Sequence, residues 1–302
     1  MACIIEDISI PEVKRLPPWF RQRIPDIKKI REMKKRFDAA GLHTVCQSAS
    51  CPNMGKCWEE GVATFMILGD TCTRACRFCA VKSGQPEAVD PNEPREVALA
   101  VAGLGLKYAV ITSVTRDDLA DGGAQQFVDT VNAVRKACPG TKMELLIPDF
   151  LNDSDALKKI AAVKPEVIGH NIETVRRLSP SIRPQADYVR SLQVLKRIKR
   201  LTASAVFIKS GLMAGLGETD DEVVEAMQDL LDAGCDILTV GQYLAPTRTK
   251  RHVKVERFVA PEMFEFYQHK GLGLGFKYVM SAPLARSSFI AEQGYLQCVR
   301  SA

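Results

Sequence analysis

Six of the ten cysteines in this chain fall into two short triads. Cys72, Cys76 and Cys79 lie in GDTCTRACRFCAV with the spacing Cys-x3-Cys-x2-Cys. Residues three and four apart share one side of a turn or nascent helix, so three thiolates at this spacing can converge on one soft metal centre. A closed structural zinc site wants four ligands, and no nearby Cys or His completes one here. Three thiolates on a four-iron cluster leave one iron open to chelate a substrate or cofactor. Cys46, Cys51 and Cys57 form the second triad, in LHTVCQSASCPNMGKCWEEG, with the spacing Cys-x4-Cys-x5-Cys. Pro52, Asn53 and Gly55 supply turns for wrapping a cluster. His43 precedes this triad, so a Cys3His zinc site is the alternative reading.

The composition suits such chemistry. A disulfide framework belongs to short secreted chains, whereas this one has 302 residues. Its first ten residues, MACIIEDISI, lack a basic region followed by an apolar one, so no secretory signal is expected and a cytoplasmic location is. The longest uncharged apolar run, Val97 to Leu106, is far below the ~18 residues of a membrane span, so no membrane partner is expected. A net charge of +5, spread along the chain, leans toward an acidic protein partner and does not require nucleic acid. Cys3, Cys138, Cys235 and Cys298 are isolated; Cys138 and Cys235, near helix ends, read as small packed residues.

The triads need a scaffold. Pro11, Pro17, Pro18 and Pro25 break the early stretch, and a basic helix is expected over 27–41, ending at Gly41. From about residue 62, short β-prone runs (63–68, 108–113, 142–147, 166–170, 204–209, 236–240) alternate with helical stretches (94–105, 124–137, 153–163, 187–200, 219–233). A last strand-like run is KYVM at 277–280. This predicts βαβ units and a parallel sheet: an α/β fold, a partial (β/α)6 TIM-type barrel, with a doubly wound open sheet as the alternative. In either, reactive groups belong at the carboxyl ends of the strands. The expected division is an N-terminal extension 1–61 with the second triad, a barrel 62–280 and a C-terminal segment 281–302.

The first triad, with Phe78 between its last two cysteines, resembles the radical S-adenosylmethionine superfamily. The resemblance implies a 4Fe-4S cluster whose open iron binds S-adenosylmethionine, with Phe78 beside the adenine. Both triads in this order resemble lipoyl synthases. So do RLPPWFRQRIP, VITSVTRDDLADGG (110–123), ELLIPDF (144–150), HNIETV (170–175), KSGLMAGLGET (209–219), GQYLAPT (241–247) and SAPLARSSF (281–289), so the likeness covers roughly residues 12–292. It implies a second 4Fe-4S cluster that donates sulfur, closed by a serine of an Arg-Ser-Ser-Tyr motif; Arg286 and Ser288 match that motif's arginine and ligand. An alkoxide is harder than a thiolate and more easily displaced from iron. Phe289 stands in place of the motif's tyrosine, Ala282 in place of a glycine, and Thr115 where an aspartate is common.

The same likeness implies the activity: insertion of sulfur at carbons 6 and 8 of an octanoyl-lysine. The carriers would be octanoylated lipoyl domains (glycine-cleavage H protein, 2-oxo acid dehydrogenase acyltransferases). The reductant would be a ferredoxin or flavodoxin. It also implies that Asn171 and Glu173, ending the fourth strand, face S-adenosylmethionine, and that Gly215, Gly217 and Glu218 line or orient its adenosine site. Thr112 and Ser113, ending the second strand, are similar candidates; helix capping is the other reading for them, and a tight strand-to-helix turn for the glycines. Arg116, Asp117 and Asp118 form either a solvated charge run or an ion-pair set. Two rivals are expected to fail. A methylthiotransferase would carry a larger N-terminal cluster domain and an RNA-binding barrel. A zinc-binding nucleic-acid module would need basic patches interleaved with aromatics, and aromatics are only 7%.

Overall fold

A computed structural model describes residues 16–59, 62–203 and 205–301. The extension contributes α1 (Ile27–Ala39), β1 (His43–Thr44), α2 (Val45–Ser48) and α3 (Met54–Glu59). Then follow β2 (Thr64–Ile67), the short pair β3 (Thr71–Cys72) and β4 (Lys82–Ser83), α4 (Glu93–Leu104), β5 (Tyr108–Ser113) and α5 (Ala124–Ala137). Next come β6 (Lys142–Leu146), α6 (Ser154–Ala162), β7 (Val167–Gly169), α7 (Ser179–Ile182), α8 (Tyr188–Thr202), β8 (Phe207–Ala214) and α9 (Asp220–Asp232). The chain closes with β9 (Ile237–Gln242), α10 (Pro261–Leu274), β10 (Tyr278–Ala282) and α11 (Ala291–Arg300).

The main sheet runs β1-β2-β5-β6-β7-β8-β9-β10, parallel throughout except for β1, which pairs antiparallel with β2. Because spatial order follows chain order, every right-handed crossover lays its helix on the same face. A doubly wound sheet would reverse direction once, so this is the singly wound, barrel arrangement. Six βα units and a seventh parallel strand make it partial: among the described residues no ladder joins β10 to β2. The helices bury one side each. Val101 of α4, Phe127 of α5, Leu157 of α6, Val194 of α8 and Leu230 of α9 are fully buried against the sheet. Each such side chain contributes roughly 1.5–3 kcal/mol by leaving water.

Most boundaries fall within a few residues of the sequence pattern. One differs in kind. The fifth strand was expected to end at 209, before a glycine-rich turn, yet β8 runs on to Ala214. Gly211 is a strand residue because a Cβ there would crowd Ser287 Oγ (3.1 Å) and Asn171 Oδ1 (3.2 Å). A side chain at Gly241 of β9 would collide with the Ala285 carbonyl. The two glycines let the C-terminal segment cross close over the strand ends.

Candidate active site

The loop of the first triad leaves β2 at the carboxyl end of the sheet. It is fastened at almost every residue. Thr73 N donates to Thr115 O (3.0 Å) and Arg77 N to Ile182 O (2.8 Å). Ala75 N donates to Gln185 Oε1 (2.6 Å). Between them the buried Arg74 guanidinium spans two carboxylates, reaching Asp117 at 2.7 Å and Asp149 at 2.7 Å. Arg190 Nε adds a third contact to Asp149 at 2.8 Å. Burial opposes ionisation of Asp149, but Arg74, together with His170 and Arg190, holds its carboxyl well below the usual range. The charge run is resolved as ion pairs: Asp117 serves Arg74, while Arg116 holds Asp118 (2.8 Å).

None of the three cysteines forms a disulfide. Cys72 Sγ accepts from the Arg74 and Thr115 amides at 3.4 and 3.3 Å. Burial pushes the Cys76 thiol up to about 11 and Cys79 up to about 12. A metal binding there must displace those protons. Among the described residues, no three His, Cys, Asp or Glu side chains gather tightly enough to hold a single ion. A tetrahedral zinc needs its sulfurs within about 4 Å of one another, since each lies about 2.3 Å from the metal. A cube of four irons asks for a wider set of thiols.

The second triad hangs on α2 and α3. Cys46 is buried, and burial raises its thiol. The C-terminal segment lies beside it. Asn53 Nδ2 donates to Leu284 O (2.7 Å) and Lys56 Nζ sits 5.3 Å from the Phe289 ring. Arg286 is half-buried; its charge faces Cys51 and Glu173.

These parts share one cavity of about 470 Å³. Its walls include Cys46, Cys51, Cys72, Cys76 and Cys79, together with Arg286, Ser287 and Ser288. Phe78, Thr112, Ser113, Asn171 and Glu173 also line it. Cys57, half-buried on α3, lies outside the lining. The Ser113 hydroxyl and Asn171 Oδ1 are buried and unpartnered among the described residues. Thr112 Oγ1 donates to Leu146 O (2.7 Å), so it closes a strand end rather than capping a helix. Asn171 Nδ2 donates to Glu173 Oε1 (3.0 Å) and to Ser287 Oγ (2.7 Å). Glu173 is pushed upward by burial, against Arg183, Asn171 and Arg286.

Gly215, Gly217 and Glu218 are not brought to this cavity. The Glu218 carboxylate accepts from Gly215 N (2.6 Å) and Leu216 N (2.8 Å), which commits two of the loop amides that could have met a nucleoside. Several site-forming residues escaped the sequence pattern. Arg183, buried and donating to Ile172 O (2.7 Å), lines the cavity with Met213 and Tyr243. Arg74 sits inside the first triad, and a charged residue there was the only signal for its role. Cys138, Cys235 and Cys298 pack singly, the last two buried; Cys3 lies outside the described residues. No described helix is long and apolar enough to cross a membrane.

The family model described as the radical SAM superfamily matches residues 66–230. A lipoyl synthase of Pyrobaculum calidifontis is 52% identical over 287 residues, covering 94% of this chain and 98% of that one. Lipoyl synthases of Caldicellulosiruptor saccharolyticus (50% identity; 92% and 96% covered) and Flavobacterium johnsoniae (48%; 98% and 100%) are similar. Among solved structures, the FeFe-hydrogenase maturase HydG from Carboxydothermus hydrogenoformans superposes with a TM-score of 0.57 at 11% identity, covering 90% of this chain and 69% of that one. Streptococcus suis SuiB bound to S-adenosylmethionine gives 0.50 at 14% (80% and 56%). These two likenesses concern the fold.

Proposed function

The chain belongs to the lipoyl synthase family of the radical SAM superfamily, and from that premise we propose that it inserts sulfur at carbons 6 and 8 of an octanoyl group amide-linked to a carrier lysine. The observation that carries the reading is a single cavity walled by thiols of both triads and by the Arg286–Ser288 segment. The residues fit the groups this needs: two sets of cysteines with no disulfide among them, amides aimed at Cys72 Sγ, and unpartnered buried oxygens on Ser113 and Asn171. When bound, a 4Fe-4S cluster with S-adenosylmethionine supplies a one-electron route to a carbon radical able to take hydrogen from an unactivated C–H bond, and a second 4Fe-4S cluster supplies sulfide.

The chain's own residues do the rest. Cys72, Cys76 and Cys79 would hold the first cluster; Cys46, Cys51, Cys57 and Ser288 the second. Phe78, Thr112, Ser113, Asn171 and Glu173 form the wall that would orient S-adenosylmethionine, and Arg183 balances the charge of Glu173. Glu218 shapes its loop from outside the cavity. Leu146, Ile147, Leu212 and Met213 give the cavity apolar walls that exclude water from a radical and suit a long alkyl chain. Residues 1–61 would serve as the second cluster's platform, 62–280 as the barrel, and 281–302 as the segment that brings the serine. Octanoylated H protein or acyltransferase domains would present the substrate, a ferredoxin or flavodoxin the electrons. Thiolate ligands and a low-potential donor both call for a reducing compartment, the cytoplasm.

Anaerobic product analysis tests this. With octanoyl-lysine carrier peptide, reductant and S-adenosylmethionine, the expected products are 5′-deoxyadenosine and a peptide with two added sulfurs. Cleavage without sulfur addition would sink the reading. Ser288→Ala is expected to keep cleavage and lose sulfur insertion. Ser287→Ala, which removes a hydroxyl already engaged by Asn171, is expected to lose far less. The reverse ranking would move the ligand to Ser287.

A further inference from the structure

Two segments meet beside the first triad. The loop 76–83 carries Arg77 and Lys82; a strap, residues 247–255 between β9 and α10, carries Arg248, Lys250, Arg251 and Lys254. They are tied together. Arg251 Nη2 donates to the Val81 carbonyl and to Ser83 Oγ, both at 2.9 Å. Val253 N donates to the Arg77 carbonyl at 3.0 Å. His252 Nε2 lies 2.9 Å from the Cys79 carbonyl. A carbonyl only accepts, so Nε2 carries the proton, and Nδ1 accepts from the Thr247 hydroxyl at 2.7 Å.

Neither segment contains an Asp or Glu. Together they carry six positive charges, against +5 for the whole chain. All six side chains are exposed, and none lines the cavity. None forms an ion pair among the described residues. Some other exposed cations do: Arg23 with Glu59, Lys158 with Asp155, Arg177 with Glu222. Asp70 feels the charge of Lys82 and exposed Glu256 follows the strap, but six like charges on two fastened segments still repel one another, and an anionic partner would relieve that.

We infer that this patch docks an acidic one-electron carrier protein that feeds electrons to the first triad's cluster; the inference rests on the proposed reading of that triad. Each S-adenosylmethionine cleaved takes one electron from the donor, which leaves oxidised by one, so a product with two sulfurs takes two. The octanoyl carrier must cover the cavity mouth while electrons arrive, so their route has to lie outside the cavity. The patch meets that condition and touches the backbone of Cys79 through His252. A second basic surface, on α1, is interspersed with Glu32 and Asp38, and its helix packs on α3 and β1 beside the second triad.

The test pairs two charge-reversed variants of the cluster-loaded protein: Arg248→Glu/Lys250→Glu/Lys254→Glu in the strap, and Lys28→Glu/Lys34→Glu/Lys35→Glu on α1 as a control of equal net charge. Affinity for an acidic flavodoxin is measured by titration calorimetry at low and high salt. Cleavage of S-adenosylmethionine is measured with reduced flavodoxin and, separately, with dithionite. The strap variant is expected to bind flavodoxin about tenfold more weakly at low salt and to raise its KM by a similar factor. Its dithionite-driven rate should stay within about twofold, and the α1 variant should bind flavodoxin as the parent does. Unchanged flavodoxin affinity in the strap variant would overturn the proposal, as would equal losses in both variants. So would a loss of affinity for the octanoylated carrier domain alone, which would make the patch a carrier site. If the parent fails to cleave S-adenosylmethionine with dithionite, the reading of the first triad falls, while the binding titration still decides what docks on the strap.

Discussion

Around Cys72, Cys76 and Cys79 the chain is held from every side by the barrel. β5 supplies Thr115 and Asp117 just beyond its end, the loop after β6 supplies Asp149, the segment after α7 supplies Gln185, and the strap supplies His252. Around Cys46, Cys51 and Cys57 the barrel holds one side only, through β1 on β2 and the Thr64 backbone at Cys46 Sγ, and other bonds come from the chain's two ends. Gln22 donates to Pro52 O (3.2 Å), Asn53 to Leu284 O, and Lys56 stacks on Phe289. On the proposed reaction this contrast has a use. The first site must return unchanged after each cleavage, so a frame of buried ion pairs suits it. The second must release sulfide and be refilled, so a wall that can be drawn back suits it better.

The contrast breaks most sharply on the thiols themselves. Cys76→Ala is expected to abolish both S-adenosylmethionine cleavage and sulfur insertion. Cys51→Ala is expected to abolish insertion only, leaving 5′-deoxyadenosine formation within a few-fold of the parent. Iron analysis should fall from about eight to about four per chain in each. Equal loss of cleavage in both variants would mean that the two sites are not separable.

The frame comes next. Arg74→Met removes the charge between Asp117 and Asp149 and leaves buried Asp149 with Arg190 alone. Breaking a buried pair in this way costs about 3–5 kcal/mol. Urea unfolding should show it, and Asp149→Asn should cost a comparable amount. Lys56→Met, on the second loop, should not come near that value.

The same frame sets a pH dependence. His170 is buried, with Nδ1 2.9 Å from the Ile147 carbonyl and Nε2 3.0 Å from Ser191 Oγ. The carbonyl fixes the proton on Nδ1, so Nε2 accepts from the serine. Burial, with Arg183 and Arg74 adding positive charge and Asp149 opposing them, lowers its pKa from 6.5 to about 4. The unfolded chain therefore binds more protons than the folded one between pH 6.5 and 4, and stability falls as pH falls through that window. Between pH 7 and 5 the loss should be about 2 kcal/mol, and His170→Gln should abolish it. The lowered Asp149 contributes only as pH drops below the ordinary carboxylate range, outside this window.

How much of this could be read from the residues alone differs between the two sites. Short apolar, β-prone runs marked six of the seven parallel strands, and KYVM the last, because most of these strands bury a continuous run, as β5 and β9 do. α10 was not marked, since Gly271 and Gly273 dilute its pattern, and neither was α11. Both triads were legible because cysteine spacing is local. Arg74 with Asp149, Asn171 with Ser287 and His252 with Cys79 were not, because each joins residues 75 to 173 positions apart. The glycines misled: Gly211 looked like a turn and is a strand residue cleared for the returning C-terminal segment.

The smallest effect tests whether that segment is held as loosely as the comparison requires. Lys56→Met removes the cation from the Phe289 ring and should lower global stability by less than about 1 kcal/mol. Its consequence should be local. The Asn53–Leu284, Asn171–Ser287 and Gln242–Pro283 bonds would remain, and the segment 283–290 should open more often. Limited proteolysis within it should quicken about two- to five-fold, in proportion to the lost contact energy. Phe289→Tyr keeps a ring for Lys56 to stack on and should leave the cleavage rate near that of the parent. If neither variant changes cleavage while Asn53→Ala does, the segment is held by hydrogen bonding rather than by the ring. If all three leave it unchanged, the second loop is as firmly seated as the first, and the difference in how the two sites are fastened has no bearing on how they work.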